Sequence, residues 1–397
     1  MPNRKKSGER CHEIDWLRVY AILLLIAIHA AAIFDPFPVT AVKGHPNWLM
    51  KVFAMFVHEW RLSVLFLVSG AGAYFALGFL GGSQFIAMRF RRIVIPLLVG
   101  TLLVVPVHLY YWVSGLYPGR YSSYFDFYTT MLKDAFLHGR IGTKPEYIHW
   151  GDLWFLAYLF VISVITAPLL IYLRRRHDGT LASELSGLFE RRGGFLLPAI
   201  PLIASELLLR TRWSGYGAPN LVNDWANFTM YLIYYLYGYL IYSDERLRAS
   251  VKRFGTTALF LGLITTLIFF LLAFTGLTPA AGYNFRWMLF LVLRSVNSWF
   301  WVAAILGLGM KYLSYKNKWL PYANEAAYPL YIIHLPILSI IAYHIVQWDA
   351  PVAVQFIAII SATLVCSAAI YILLIRQTTV TRYLFGLKPK PSKVVRV

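Results

Sequence analysis

Three side chains near the start of the chain are of types that do chemistry: Asp15, Arg18 and His29, in the stretch HEIDWLRVYAILLLIAIHAAAIF, residues 12–34. On an α-helix, eleven steps return His29 to within about 20° of Arg18, about 16 Å further along the axis. Asp15, one turn before Arg18, lies within about 60° of the same direction. A neutral imidazole titrates near pH 7 and can take a proton from a hydroxyl, while a guanidinium holds carboxylates and phosphates. The apolar run from Trp16 to Phe34, about 19 residues, is long enough to cross a bilayer, where an arginine at the helix centre costs roughly 2.5–3.5 kcal/mol. One reading is a functional stripe facing the protein interior. The other is an interfacial Asp15–Arg18 pair with a snorkelling arginine, and His29 hydrogen-bonded at the far interface.

The elements that must position these groups are membrane spans. Of 397 residues, 59% are hydrophobic and the mean hydropathy is +0.59, more apolar surface than a soluble core can bury. The expected fold is all-α, a polytopic membrane protein of about ten spans near 16–34, 60–80, 93–115, 152–173, 195–210, 227–243, 255–276, 287–309, 327–347 and 352–375. The fifth and sixth are short. The net charge of +19 does not indicate nucleic-acid binding, because the cations fall in short clusters between apolar runs. With a cytoplasmic N-terminus, 25 Lys and Arg fall inside, nine outside and three (Arg18, Arg61, Arg294) within spans, which places both termini in the cytoplasm. Residues 1–376 form the expected membrane domain and 377–397 a basic tail. Basic Met1–Arg10, apolar Ala21–Ile28 and Ala30-Ala31-Ala32 have the outline of a signal peptide, but Glu13, Asp15 and Arg18 interrupt it and favour retention. The two cysteines, Cys11 and Cys366, imply neither a disulfide framework nor a metal site.

Other polar residues sit where burial makes them costly. After a proline-broken segment, residues 49–59 read as an interfacial helix leading into a span that opens on His58-Glu59-Trp60-Arg61, with Ser69, Gly70, Gly72 and Gly78 permitting close packing. Arg89 and Arg92, one helical turn apart before the third span, suit a phosphate clamp or are ordinary inside-loop charge. The largest outside loop, 116–151, leads into Tyr147-Ile148-His149-Trp150-Gly151-Asp152-Leu153-Trp154, a sequence that suits a sugar face or the membrane interface. The stretch TRWSGYGAPNLVNDWANF, with Arg212, Asn220, Asp224 and Asn227, has the same character. Arg294 and Asn297 read as a structural pair, satisfied by each other or by a neighbour. His334 precedes a Pro336 kink in the ninth span, and His344 reads as interfacial. No metal-binding pattern, phosphate loop or nucleophile elbow is present. Histidine with arginines fits a base that deprotonates a sugar hydroxyl and cations that hold a polyanionic acyl donor such as acyl-coenzyme A.

Asp15-Trp16-Leu17-Arg18, ten residues, then His29 resembles the signature of the membrane acyltransferase 3 family, and Arg89-Phe90-Arg91-Arg92 resembles its R-x-x-R motif. His58-Glu59-Trp60-Arg61 with FLVSG, Leu153-Trp154-Phe155-Leu156 and the stretch from Asn324 to Pro336 extend the likeness over about nine-tenths of the chain. The best fit is to its glucan-biosynthesis branch, associated with succinylating periplasmic osmoregulated glucans. The resemblance implies His29 as the catalytic group, acting as base or as transient acyl carrier, with Asp15 pairing Arg18. It implies Arg18, Arg89 and Arg92 toward the donor, and His58, Arg61, His334, Asp152 and Trp154 toward the acceptor or acyl group. Where the branch has histidine before Leu-Trp-Phe-Leu, this chain has Asp152, with His149 three residues earlier. The implied partners are the lipid bilayer, a succinyl- or acetyl-CoA donor and a glycan acceptor, with no tightly bound cofactor and the oligomeric state open; the implied location is the bacterial inner membrane. A transporter or flippase using intramembrane His and Arg is the alternative, and an assembly protein a third.

Overall fold

A computed structural model describes residues 11–36, 42–142, 144, 146–175, 180–191, 193–213 and 220–389. The expected N-terminal basic segment Met1–Arg10, Arg176, Arg192 and the tail cations Lys390, Lys393 and Arg396 lie outside them. The helices in order are α1 (His12–Ala32), α2 (Trp48–His58), α3 (Arg61–Leu77), α4 (Gly82–Arg89), α5 (Ile95–Val99), α6 (Val105–Leu116), α7 (Tyr124–His138), α8 (Trp154–Arg175), α9 (Thr180–Glu190) and α10 (Ala199–Leu209). They continue with α11 (Trp225–Ser243), α12 (Glu245–Phe274), α13 (Phe285–Tyr312), α14 (Leu320–Ile345), α15 (Val352–Ile370) and α16 (Thr379–Leu384). Among the described residues there is no strand, only an isolated bridge between Ile141 and Ile148. Side-chain oxygens of Ser123, Asp244, Asn284 and Thr378 accept backbone N–H groups at the starts of α7, α12, α13 and α16.

Eight of the ten expected runs form helices long and apolar enough to cross a membrane among the described residues. The fifth is α10, whose 11 residues reach about 17 Å against a hydrocarbon core of about 30 Å. The sixth, α11, has 19 residues but carries many tyrosines. Their hydroxyls are satisfied within the protein: Tyr234 shares a hydrogen bond with Ser298, Tyr235 donates to Ser163, Tyr239 to the Leu170 carbonyl and Tyr242 to Glu13. That bonding lets a polar-rimmed helix lie in an apolar bundle.

The chain divides into two compact units. The first takes residues 1–21, 56–86 and 161–321. Its closest helix pairs are built on glycine: a Cβ at Gly70 of α3 would overlap the Tyr235 carbonyl of α11, and one at Gly238 of α11 would overlap the Leu67 carbonyl of α3. Gly255 of α12 meets Gly307 of α13 in the same way. Between helices in lipid there is little hydrophobic driving force, so close backbone approach supplies much of the association. Gly72 has open space beside it and takes no part in this contact.

The second unit takes residues 22–55, 87–160 and 322–397. Its core packs Ile26, Ala30 and Ala31 of α1 against Leu338, Ala342 and Ile345 of α14 and Ile359 of α15. The span from Gly82 to Leu116 is interrupted by two wider π turns, Phe90–Val94 and Gly100–Val104, each followed by a proline, Pro96 and Pro106. A proline has no N–H for the carbonyl four residues back. Both carbonyls are capped from elsewhere: Tyr328 donates to Arg92 (2.7 Å) and Tyr128 to Leu102 (3.2 Å). The buried positions Ile93, Pro96, Gly100, Val105, Leu109 and Val113 step by five across the second π turn, which keeps one face inward. Arg89 and Arg92 are half-buried on the inward side, and Arg91 is exposed.

Candidate active site

α1 runs unbroken from His12 to Ala32, so Arg18 and His29 ride one helix as the spacing implies. Tyr20 and Leu23 are its exposed side chains, whereas His29 is half-buried and packs on another histidine. The ring of His29 lies 5.3 Å from that of His334 between centroids, with the planes tilted 45°. These two residues, 305 positions apart, meet because α1 and α14 share the core of the second unit.

His334 is 1% exposed, and its Nδ1 lies 2.7 Å from the Tyr331 carbonyl. A carbonyl only accepts, so Nδ1 carries the proton and Nε2 is the basic nitrogen of the neutral ring. Tyr331 stacks on the same ring at 6.2 Å and donates its hydroxyl to the Asp152 carbonyl at 2.6 Å. α14 is thereby tied to the entrance of α8.

A second histidine is held by the same logic. Ser339 donates to the Leu335 carbonyl at 2.9 Å, so its oxygen must accept from His108 Nδ1 at 2.7 Å, leaving Nε2 of His108 as the base. Asp152, His149 and His334 all lie within electrostatic reach of His108. At His149 the tautomer reverses: the Gly151 N–H donates to Nδ1 at 2.9 Å, placing the proton on Nε2, which is buried without a partner among the described residues. Burial pushes this imidazole below its ordinary value, with the charge of Asp152 pulling the other way. Gly151 makes the turn between them at φ +49°, where a side chain would be strained and would press on Val105. Trp154, half-buried one turn on, meets Tyr158 edge-on at 5.0 Å.

In the first unit Arg18 pairs with Asp15 at 3.3 Å, an i,i+3 contact. The same unit holds His58 and Arg61 at the junction of α2 and α3. His58 is exposed, Arg61 is 5% exposed, and both Arg61 and Arg294 lie within electrostatic reach of His58. Arg294 pairs with Glu206 (2.9 Å) and Glu59 (3.5 Å), and Arg210 forks onto both oxygens of Glu206 (2.9 and 2.6 Å). Asn227 accepts from Arg210 at 2.8 Å and donates to Asp224 at 2.7 Å, so Asp224 and Asn227 of the second outside stretch belong to a buried network with Arg210. Arg294 thus finds carboxylates, while Asn297 accepts from Thr265 and Thr266. A cavity of about 10 Å³, room for one water, lies among Glu59, Glu206, Tyr234, Arg294 and Ser298.

The structure therefore joins His29 to His334, and Asp152 to His149 and Tyr331, and it pairs Arg18 with Asp15. Sequence reasoning missed His108 and Glu206. His108 follows Pro106 inside an apolar run, the counterpart of His334 beside Pro336. Glu206 stands four residues before Arg210 in LIASELLLR, an i,i+4 pair visible in the sequence.

The acyltransferase domain family Acyl_transf_3 matches residues 12–372, which include every candidate residue named above. Curated relatives include the glucans biosynthesis protein C of Salmonella schwarzengrund, 21% identical over 333 residues (82% of this chain, 81% of the relative). That of Salmonella paratyphi B is 22% identical over 346 residues, with the same coverage. No solved structure matches the chain. With that match across nearly its whole length, and eight described helices fit to cross a bilayer, the chain belongs to the acyltransferase 3 family and is a multi-pass membrane acyltransferase.

Proposed function

We propose that the protein moves an acyl group, succinyl or acetyl, from cytoplasmic acyl-coenzyme A to a hydroxyl of an extracytoplasmic glycan, in the bacterial inner membrane. The observation that carries the reading is the contact of His29 with the deeply buried His334, on the helix that also bears Arg18. In this reading His29 takes the proton of the sugar hydroxyl as its oxygen attacks the thioester carbonyl. The new C–O bond forms, the C–S bond breaks, and the proton passes to the departing coenzyme A thiolate. Donation from His334 Nδ1 to a backbone carbonyl fixes that ring beside the base, which preserves the geometry the transfer needs.

Arg89 and Arg92, half-buried on one side of their helix, serve the phosphates of the donor, and Arg18 is a further cation assigned to the donor. Asp152 and Trp154 serve the acceptor, with Trp154 offering a ring face to a sugar. His58 and Arg61 serve the acceptor or the free carboxylate of a succinyl group, which needs a cation where an acetyl group does not. Similarity to proteins named glucans biosynthesis protein C supports a periplasmic glucan as acceptor.

Radiolabelled acyl-CoA binding tests the donor assignment. The purified protein is expected to bind the donor saturably, and Arg89→Ala with Arg92→Ala to weaken binding by at least about tenfold, as loss of charge-assisted contacts to phosphate implies. A transporter would be indifferent to the donor. No binding, or equal binding by the double variant, contradicts the assignment.

A further inference from the structure

Beyond the last span, residues 376–389 stay within the second unit. Thr378 caps α16, and Arg382 within it is 5% exposed. Its two terminal nitrogens reach the two oxygens of Glu325 on α14 at 3.2 and 3.3 Å, while Nε donates to the Lys388 carbonyl at 2.7 Å. Tyr371 donates to the same glutamate at 2.8 Å. A forked, buried guanidinium of this kind fixes the two segments it joins.

The turn that follows lands on the arginine motif. Gly386 has φ +70°, and a Cβ there would come within 2.7 Å of the Tyr328 ring, 2.8 Å of the Arg92 carbonyl and 3.0 Å of Pro96. Tyr328 is the residue whose hydroxyl caps that carbonyl in place of the N–H that Pro96 lacks. It also lies within electrostatic reach of both Arg89 and Arg92. Residues 378–388 therefore bear directly on the peptide that carries Arg92, at a π turn where the helix's own bonding is loosened. They lie beyond the segment matched by the family, residues 12–372.

We propose that this C-terminal strap is a positioning element for donor binding: Gly386 and Tyr328, clamped through the Glu325–Arg382 pair, set the direction of the Arg89–Arg92 pair toward the donor phosphates. The inference rests on the donor assignment made under Proposed function. Its residues touch no donor; they act through the backbone of Arg92.

The test measures acyl transfer with donor and acceptor varied separately, for Gly386→Val, Tyr328→Phe and, as reference, Arg92→Ala. Tyr328→Phe keeps the ring and removes only the hydroxyl, so it reports even where Gly386→Val fails to accumulate. A misdirected charge-assisted contact is expected to raise donor KM about tenfold in Gly386→Val and severalfold in Tyr328→Phe, with kcat and acceptor KM within about twofold of the parent. A merely structural strap would instead lower kcat and worsen both KM values together, which overturns the proposal. Unchanged donor KM in Tyr328→Phe beside a raised one in Arg92→Ala also overturns it while leaving the donor assignment standing. Unchanged donor KM in Arg92→Ala removes the donor assignment itself.

Discussion

Replacing His29 by alanine is expected to abolish acyl transfer while the protein still inserts and purifies in normal yield. A positioned base contributes about 10²–10⁴-fold, and His29 is the histidine of α1 that contacts the fixed ring of His334. The substitution removes a half-buried ring and leaves no buried charge behind, so the effect should fall on turnover rather than on folding. His334→Ala should also lower turnover, through loss of the support beside His29. Transfer per milligram of monodisperse protein decides the matter, and unchanged transfer in His29→Ala would remove the proposed base.

Glu206→Ala is expected to cost about 3–5 kcal/mol of stability, because it strands the buried guanidinium of Arg210 and takes from half-buried Arg294 the shorter of its two ion pairs. Glu206 is 1% exposed and Arg210 3%, so solvent screens the pair little. Glu59→Gln should cost far less: its contact with Arg294 is longer, 3.5 Å, and Arg294 keeps Glu206. Thermal unfolding in detergent should place Glu206→Ala well below both the parent and Glu59→Gln. Equal midpoints for all three would mean that the network carries no such load.

The apolar runs made the membrane fold legible, because about 20 consecutive apolar residues allow few other structures. The axial relation of Arg18 to His29 was legible for the same reason: a helix fixes angle and rise. The partner of His29 was not, since nothing local to residues 12–34 specifies which span brings a ring against it. Nor were the tautomers of His334, His108 and His149, which depend on whether the neighbour at Nδ1 is a carbonyl, a committed hydroxyl or an N–H. Arg210 ends an apolar run, the place of an interfacial charge; its burial follows from Glu206 one turn earlier. Pro96 and Pro106 stand inside the run expected as the third span, 93–115, and the chain stays helical through both, since Tyr328 and Tyr128 supply the missing donors.

The most direct test of the account is the mass of extracted periplasmic glucan after incubation with the purified protein and a series of acyl-CoA donors. The account predicts an increase of one acyl group per modified hydroxyl with succinyl- or acetyl-CoA, and none with the His29→Ala protein. No increase with any donor, or an equal increase with and without His29, would contradict it.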